Sequence, residues 1–152
     1  MDQTALKERI MGLVPDAEFL ENKQFLTFVI PAEKMHDLAV KLKYETDLAF
    51  DFLFCLSGVD MVKFLEVVYH LESTANKHQL ELKVRTTDRE NGAVDTVCDV
   101  WRTAEFHERE IYDLLGIRFN NHPDLRRLFL EEDWKGYPLR KDYVDEVNIV
   151  EL

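Results

Sequence analysis

Apolar residues in the first third of the chain follow two different spacings. Near the start they recur every three or four positions, at Leu6, Ile10, Leu13 and Val14. This spacing predicts a short amphipathic helix that ends before Pro15. The aromatic and β-branched run from Phe25 to Ile30 predicts a strand, and Pro31 suits the first turn of a second helix. The apolar stripe of that helix comprises Met35, Leu38, Ala39 and Leu42.

Three runs in the middle of the chain predict strands, at Ala49–Leu56, Phe64–Leu71 and Gln79–Arg85. Apolar and polar residues alternate in the second and third runs, which is typical of an antiparallel sheet with one buried and one solvated face. A turn at residues 58–60 and a polar loop at residues 73–78 are predicted to connect the three strands. The pattern therefore indicates helices combined with an antiparallel sheet.

Further on, Asn91 and Gly92 mark a turn. Asp95 is predicted to cap a short helix that runs through Trp101, and Thr103 to open a longer helix that stops at Gly116. Beyond Gly116 the periodicity disappears, so residues 1–116 are expected to form the globular domain. Residues 117–152, the C-terminal arm, are expected to be an extended part of the same structural unit.

The C-terminal arm differs from the rest of the chain in composition. Residues 1–116 carry 13 Lys and Arg against 22 Asp and Glu, whereas residues 117–143 carry 6 against 5. The arm also holds five aromatic residues, at Phe119, Phe129, Trp134, Tyr137 and Tyr143. Aromatic residues and arginine dominate the energetics of protein interfaces, so the arm is predicted to bind another protein. The alternative is an arm folded back on its own domain.

Charge and cysteine content exclude several classes of function. A net charge of −11 disfavours binding to phosphate backbones and to anionic lipid. The apolar runs are too short to cross a membrane, and the N-terminus has no secretory pattern, so a cytosolic protein is expected. Cys55 and Cys98 are interpreted as buried thiols, and two cysteines do not supply the usual four ligands of a zinc site or an iron–sulfur cluster.

Residues 105–110 contain the most chemically suggestive cluster. His107 and Glu110 share a helix face, yet the chain has no second Glu-x-x-His pair and no HExxH motif, so no metal site is predicted. A nucleophile–base pair of Cys98 and His107 is disfavoured because apolar surroundings raise a thiol pKa. No nucleotide-binding or hydrolase motif is present.

Two charged residues of this cluster suggest a different role. Arg109 lies four residues from both Glu105 and Asp113, which predicts ion pairs along the helix. Glu108 falls on the apolar stripe formed by Ala104, Ile111 and Leu115. A carboxylate at such a position is either buried with a partner or lies against another protein.

The segments EREIYDLLGIRF at 108–119, HPDLRRL at 122–128 and DWKGYPLRKDY at 133–143 resemble the signature of the 30-kDa subunit family of respiratory complex I. Residues 50–60 and 64–71 look like the strand pair of that family. The resemblance covers nearly the whole chain. Many relatives have a proline where this chain has Val144.

The resemblance implies a two-layer α+β domain with a mainly antiparallel sheet, helices on one face and an extended C-terminal arm. It implies a non-catalytic structural subunit of the peripheral arm of proton-translocating NADH:quinone oxidoreductase, on the cytoplasmic face of the inner membrane and without membrane insertion. The partners would be the 49-kDa subunit, also called the D subunit, and other peripheral-arm subunits. Those subunits would bind the FMN, the iron–sulfur clusters and the quinone, and this chain would hold no cofactor.

Partner binding is carried over onto fourteen residues that match the family motifs. They are Glu108, Arg109, Glu110, Tyr112, Asp113, His122, Asp124, Arg126, Arg127, Asp133, Trp134, Arg140, Lys141 and Tyr143. Similar subunits occur in membrane-bound hydrogenases and in other quinone-reducing complexes, which is the first alternative. A free-standing acidic metal-dependent hydrolase that uses His107, and an adaptor for a different partner, are the remaining ones.

Overall fold

The computed structural model describes residues 2–144 and shows an α+β architecture in this part of the chain. The helices are α1 (Gln3–Leu13), α2 (Ala32–Tyr44) and α3 (Ala104–Leu115). The strands are β1 (Glu18–Leu20), β2 (Thr27–Val29), β3 (Phe52–Asp60), β4 (Leu65–Ser73), β5 (His78–Thr86), β6 (Ala93–Asp95) and β7 (Arg118–Asn120). The two predicted helices of the first third and the three central strands are confirmed. The acidic tail from residue 145 onwards lies outside the described residues.

Five strands form one sheet in the order β1-β2-β5-β4-β3, in which only the β2–β5 pair is parallel. Val67, Tyr69 and Leu82 belong to the hydrophobic core, which also contains Leu6 and Leu38 from the first two helices. The side chains of these strands thus pack against the helices on one face of the sheet. The mainly antiparallel, two-layer α+β prediction is therefore confirmed.

Paired charges occupy the sheet face opposite the helices. Arg85 donates to Glu66 at 2.9 Å, and the ammonium group of Lys83 lies 3.7 Å from Glu66 and 3.6 Å from Glu81. His70 lies 3.1 Å from Glu81. On this predicted polar face, the pairs of Glu66 with Arg85 and Lys83 join β4 to β5 and stabilise these neighbouring strands.

The predicted helix from Asp95 to Trp101 is wrong. Residues 93–95 instead form β6, which pairs in parallel with β7 in a separate two-stranded sheet. Val94 is buried there opposite Phe119. The pairing partner lies far along the chain, so local capping signals were outweighed by a contact that no short window contains.

The predicted turn at residues 58–60 is also wrong, because β3 continues through Asp60. Gly58 serves a different purpose. A Cβ atom at this position would lie 2.4 Å from Leu115 Cδ1 and 2.9 Å from Ile111 Cγ2. The glycine therefore permits the close approach of α3 to the sheet.

Two smaller expectations are corrected as well. Cys55 and Cys98 are free and only partly buried, whereas the sequence suggested buried thiols. Ile117 and Phe119 lie in the hydrophobic core although they follow Gly116. The division at residue 116 stays a prediction, and the first residues of the C-terminal arm contribute to the core of the domain.

Candidate partner-binding site

Helix α3 carries five of the fourteen predicted binding residues and ends as the sequence predicts. Gly116 adopts a left-handed conformation with φ 77°, and its N–H donates to the Tyr112 carbonyl at 2.9 Å. A Cβ atom at Gly116 would lie 2.7 Å from the Tyr137 ring. Glycine is thus required both by the backbone conformation and by the C-terminal arm packed over it.

Glu108 is fully buried, with 0% of its surface exposed. One carboxylate oxygen accepts a hydrogen bond from the Thr96 hydroxyl, and the other accepts one from the Val97 N–H at 3.0 Å. Burial raises the pKa of Glu108 to about 7, and the two hydrogen bonds oppose this effect. Of the two alternatives for this residue, burial with a partner within the chain is the one observed.

His122 extends the same buried network. Its Nδ1 atom accepts a hydrogen bond from the Asp124 N–H at 3.0 Å, so Nε2 carries the ring proton. Nε2 donates to the Glu105 carbonyl at 3.0 Å and lies 3.9 Å from the carboxylate of Glu108. The imidazole thereby attaches the start of the arm to α3.

Cys98, Glu108 and His122 place a thiol, a carboxylate and an imidazole within 4.8 Å of one another. This ligand set suits a transition metal in its chemistry. However, both ring nitrogens and both carboxylate oxygens already take part in hydrogen bonds. A metal bound at His122 Nε2 would displace the proton from that atom, and a neutral ring would then carry its proton on Nδ1. The Nδ1–H group would face the Asp124 N–H, which is also a donor. The geometry favours a hydrogen-bonded network, and the absence of a metal site stays a prediction.

The structure does not pair Cys98 with His107 as nucleophile and base. His122 is the imidazole beside Cys98 instead. Burial raises the pKa of the Cys98 thiol, although a hydrogen bond with Thr96 opposes the shift. A raised thiol pKa lowers the thiolate fraction at neutral pH, so the site does not favour nucleophilic chemistry.

Asp113 anchors the arm on α3. Its carboxylate accepts backbone N–H groups from three successive residues, Leu128 at 3.2 Å, Phe129 at 2.7 Å and Leu130 at 3.1 Å. Its second oxygen accepts from the guanidinium of Arg127 at 3.2 Å. Burial acts to raise the pKa of Asp113, but these donors prevail and hold the pKa below its usual value. The carboxylate is therefore ionised and fully satisfied.

Two arginines complete this attachment, one from the arm and one from α3. Arg127 donates to the carbonyls of Asp113 at 2.9 Å, Trp134 at 3.0 Å and Gly136 at 3.0 Å. Arg109 donates from α3 to the carbonyls of Arg126 at 3.3 Å and Arg127 at 3.1 Å. The predicted ion pairs of Arg109 with Glu105 or Asp113 are wrong, because the arm occupies both Arg109 and Asp113.

The last described part of the arm returns to the body of the domain. The Leu139 N–H donates to the Leu114 carbonyl at 2.9 Å, and Arg140 Nε donates to the Leu115 carbonyl at 2.6 Å. The Lys141 N–H donates to Asp60 at 2.8 Å. After Asn120 the described part of the arm has no helix or strand and lies along α3, so it is folded back on its own domain.

The fourteen predicted residues therefore fall into two groups. Inward-facing side chains hold the arm on the domain, namely Glu108, Arg109, Asp113, His122, Arg127 and Arg140. The others are half-buried or exposed, namely Glu110, Tyr112, Asp124, Arg126, Asp133, Trp134, Lys141 and Tyr143. Arg126 pairs only with Asp124, at 3.1 Å, among the described residues.

Sequence reasoning predicted Trp134 as a binding residue, but it did not select Phe129 and Leu139, which the arm also leaves in solvent. Phe129 is 67% exposed, Leu139 is 58% exposed and Trp134 is 38% exposed. Each has a backbone group in the attachment just described, so their positions are determined by the main chain. Composition alone marked Phe129 and Trp134 as aromatic, but which side chains face outwards depends on hydrogen bonds within the arm and to α3.

Asp60 was missed entirely. It is buried and receives both amino groups of Arg89, at 2.7 and 2.6 Å, together with the N–H groups of Val62 and Lys141. The Arg89 guanidinium holds the pKa of Asp60 well below its usual range. Arg89 and Lys141 lie 29 and 81 residues away, and no local sequence signal connects them with Asp60.

Among the described residues, no helix is both long enough and apolar enough to cross a membrane. A sequence profile of the family described as "Respiratory-chain NADH dehydrogenase, 30 Kd subunit" matches residues 28–147. This range contains β3, β4, β5 and most of β2, together with α2, α3 and most of the arm.

Individual relatives agree with the profile. The C subunit of NADH-quinone oxidoreductase from Chloroherpeton thalassium is 40% identical over 152 residues, covering 97% of this chain and 62% of the relative. The C subunit from Roseiflexus castenholzii is 39% identical over 148 residues, covering 93% of this chain and 84% of the relative. A C/D subunit from Phocaeicola vulgatus is 51% identical over 120 residues, which cover 78% of this chain and 23% of the relative. The chain thus spans about a quarter of the length of such C/D relatives.

The fold is also found in a solved structure of the membrane-bound sulfane sulfur reductase, an archaeal respiratory membrane complex. A chain of that complex is 26% identical and superposes with a TM-score of 0.78, covering 95% of this chain and 86% of the other. The profile match over most of the chain, supported by these relatives, shows that the chain belongs to the 30 Kd subunit family of the respiratory-chain NADH dehydrogenase.

Proposed function

We propose that this chain is a non-catalytic structural subunit of the peripheral arm of an NADH:quinone oxidoreductase, in which its C-terminal arm binds the 49-kDa subunit. The observation that carries the proposal is an arm held firmly on its own domain while Phe129, Trp134 and Leu139 point into solvent. Large aromatic side chains at fixed positions are typical energetic centres of protein interfaces.

The internal hydrogen bonds give the arm a defined shape before any partner arrives. Asp113, Arg109 and Arg127 together bind seven backbone groups of the arm. A segment that is already ordered loses less conformational entropy on binding than a disordered one. The predicted binding residues therefore divide into those that shape the arm and those that touch the partner.

Arg127 belongs to the first group, because its amino groups are consumed by Asp113 and by two carbonyls of the arm. Arg126 and Asp133 belong to the second group, because their side chains are half-buried or exposed. Accessible charges of this kind fit the rim of an interface, where they guide association more than they add affinity.

We propose the 49-kDa subunit, or D subunit, as the partner because some relatives are named as a single C/D subunit. This chain matches 23% and 24% of two such relatives. In this proposal the FMN, the iron–sulfur clusters and the quinone are bound by other subunits, and the chain lies on the cytoplasmic face of the membrane. The role of the chain is to position the quinone-reducing part of the enzyme.

A related parent complex is the second candidate. The superposable chain from a sulfane sulfur reductase means that this fold also occurs in a respiratory complex with a different named substrate. Purifying the assembled complex and measuring electron transfer from NADH to quinone distinguishes the two candidates. Activity with NADH supports the first, and its absence from an intact complex supports the second.

The docking proposal is tested by co-expression of the full chain with the 49-kDa homologue of the same organism. The informative variant replaces Phe129, Trp134 and Leu139 with serine, because their internal hydrogen bonds use backbone atoms and remain possible. A control variant replaces Tyr44, an exposed aromatic residue at the end of α2. Deleting residues 117–152 is unsuitable, since the core residue Phe119 would be lost.

We expect a stoichiometric complex for the wild-type chain and for Tyr44→Ser. The triple variant should bind roughly thirtyfold more weakly, as the loss of interface anchors predicts. Equal binding by the triple variant would contradict the role of the arm. Failure of the wild-type pair to associate would refute the 49-kDa subunit as a sufficient partner.

A further inference from the structure

The turn between β3 and β4, residues 61–64, exposes two apolar side chains at its tip. Met61 is 46% exposed and Val62 is 61% exposed. Tight turns are normally made by glycine, asparagine, aspartate or proline, because these residues suit the backbone or bond to it. An apolar pair at this position is therefore unusual for a turn whose surroundings are only water.

The backbone of Val62 adds a second observation. Its φ angle is 70°, in the left-handed region. A β-branched side chain is strongly disfavoured there, since Cβ approaches the following carbonyl oxygen. Strained conformations of this kind persist only where the surroundings enforce them, and they concentrate at functional positions.

Asp60 and Arg89 hold the backbone of Val62 in this conformation. The Asp60 carboxylate accepts the Val62 N–H at 2.8 Å, and Arg89 donates to the Val62 carbonyl at 3.1 Å while binding both oxygens of Asp60. The backbone of Val62 is thus held from both sides. The tip is a rigid apolar projection, which loses little entropy when it contacts a partner.

The C-terminal arm reaches the same point. The Lys141 N–H donates to Asp60 at 2.8 Å, and Asp142 lies 3.5 Å from Arg89. The hairpin tip is therefore next to the end of the segment that we propose as the docking element. The arm and the tip thus meet at one buried carboxylate, so a partner that covers the end of the arm lies next to the tip.

We propose that Met61 and Val62 form a second contact with the 49-kDa subunit, where they insert into an apolar depression beside the site that receives the arm. This inference rests on the proposed function. It assigns a binding role to a hairpin upstream of the arm, outside the fourteen residues that the sequence motifs selected.

The test uses the full chain with the 49-kDa homologue and measures the dissociation constant by titration calorimetry. Met61→Ser removes one apolar side chain at the tip. Val62→Asn removes the other and introduces a residue that tolerates the left-handed region. The control is again Tyr44→Ser, which removes an exposed aromatic residue on another element.

We expect the double variant to bind roughly tenfold more weakly than wild type, in line with the loss of apolar interface contacts. Its thermal midpoint should stay level or rise by about 2 °C, because the strain at residue 62 is relieved. A purely structural hairpin would show the same stability change with unaltered affinity, and that result would overturn the inference. If the wild-type pair does not associate at all, the proposed function fails first; if it associates and the double variant binds equally well, only the hairpin contact is refuted.

Discussion

Glu108 should make the fold less stable as the pH rises from mildly acidic to mildly alkaline. Burial raises the pKa of its carboxyl group from 4.5 to about 7, whereas the unfolded chain keeps the ordinary value. The native state then holds a proton that the unfolded state has already released. The contribution of this group to stability is complete below pH 4.5, decreases between pH 4.5 and about 7, and is lost above that range.

The magnitude follows from the shift. One pKa unit corresponds to about 1.4 kcal/mol, so the change from 4.5 to about 7 corresponds to roughly 3 kcal/mol in the free energy of unfolding. Glu108→Gln mimics the protonated side chain. Its amide oxygen can accept the Val97 N–H, and its amino group can donate to the Thr96 hydroxyl oxygen, which also accepts the Cys98 N–H.

The assay is urea unfolding of wild type, Glu108→Gln and Glu110→Gln at several pH values between about 5 and 8, the range that the linkage relation selects. Glu110 lies on the same helix and is only half-buried, so its variant is the matched control. Wild type and the control should lose stability relative to Glu108→Gln as the pH rises. Parallel curves for wild type and Glu108→Gln would refute the reasoning, because they would mean that Glu108 is ionised in the native state throughout this range.

Three further predictions concern groups that join distant parts of the chain. Asp113→Ala should lower the free energy of unfolding by about 3 kcal/mol, because it leaves Arg127 and three backbone N–H groups without their buried acceptor. Limited proteolysis of this variant should then cleave the arm first. A cleavage pattern like that of wild type would contradict the anchoring role of Asp113. Gly58→Ala should destabilise the fold by about 1–3 kcal/mol in thermal unfolding, since the new methyl group would collide with Leu115; in a chain that already carries Leu115→Ala, the same Gly58→Ala change should cost less. Asp60→Asn should be less stable than wild type at neutral pH. Because the pKa of Asp60 is depressed in the folded state, the difference in stability should shrink as the pH falls below 3.8, the ordinary pKa of an aspartate. A difference that stays constant during acid unfolding would contradict this prediction.

The inward direction of Arg127 changes how the family motif is understood. Arg127 stands in the HPDLRRL segment and was expected to bind the partner. In the structure its carboxylate is Asp113, which belongs to the EREIYDLLGIRF segment of the same chain. The two motifs therefore bind each other, and in the proposed complex the partner meets the surface that this contact creates.

The sequence by itself determined the regular elements whose patterns are local. The stripe of Met35, Leu38, Ala39 and Leu42 predicted α2, and the alternation along residues 64–71 and 79–85 predicted β4 and β5. It also marked Glu108 as inconsistent with its apolar surroundings, and its motifs indicated the family. Each of these signals is contained in a short window, where side-chain spacing alone selects the structure.

Only the tertiary structure decided which groups meet. Three contacts join residues that are far apart in sequence. They are the parallel pairing of β6 with β7, the close approach of Leu115 to Gly58 and the ion pair of Asp60 with Arg89. The arm is a sharper case, because Arg109 and Arg127 bind backbone carbonyls, which every residue possesses and no sequence pattern distinguishes. Hydrogen bonds to the backbone depend on where the chain passes, and only the complete fold determines that path.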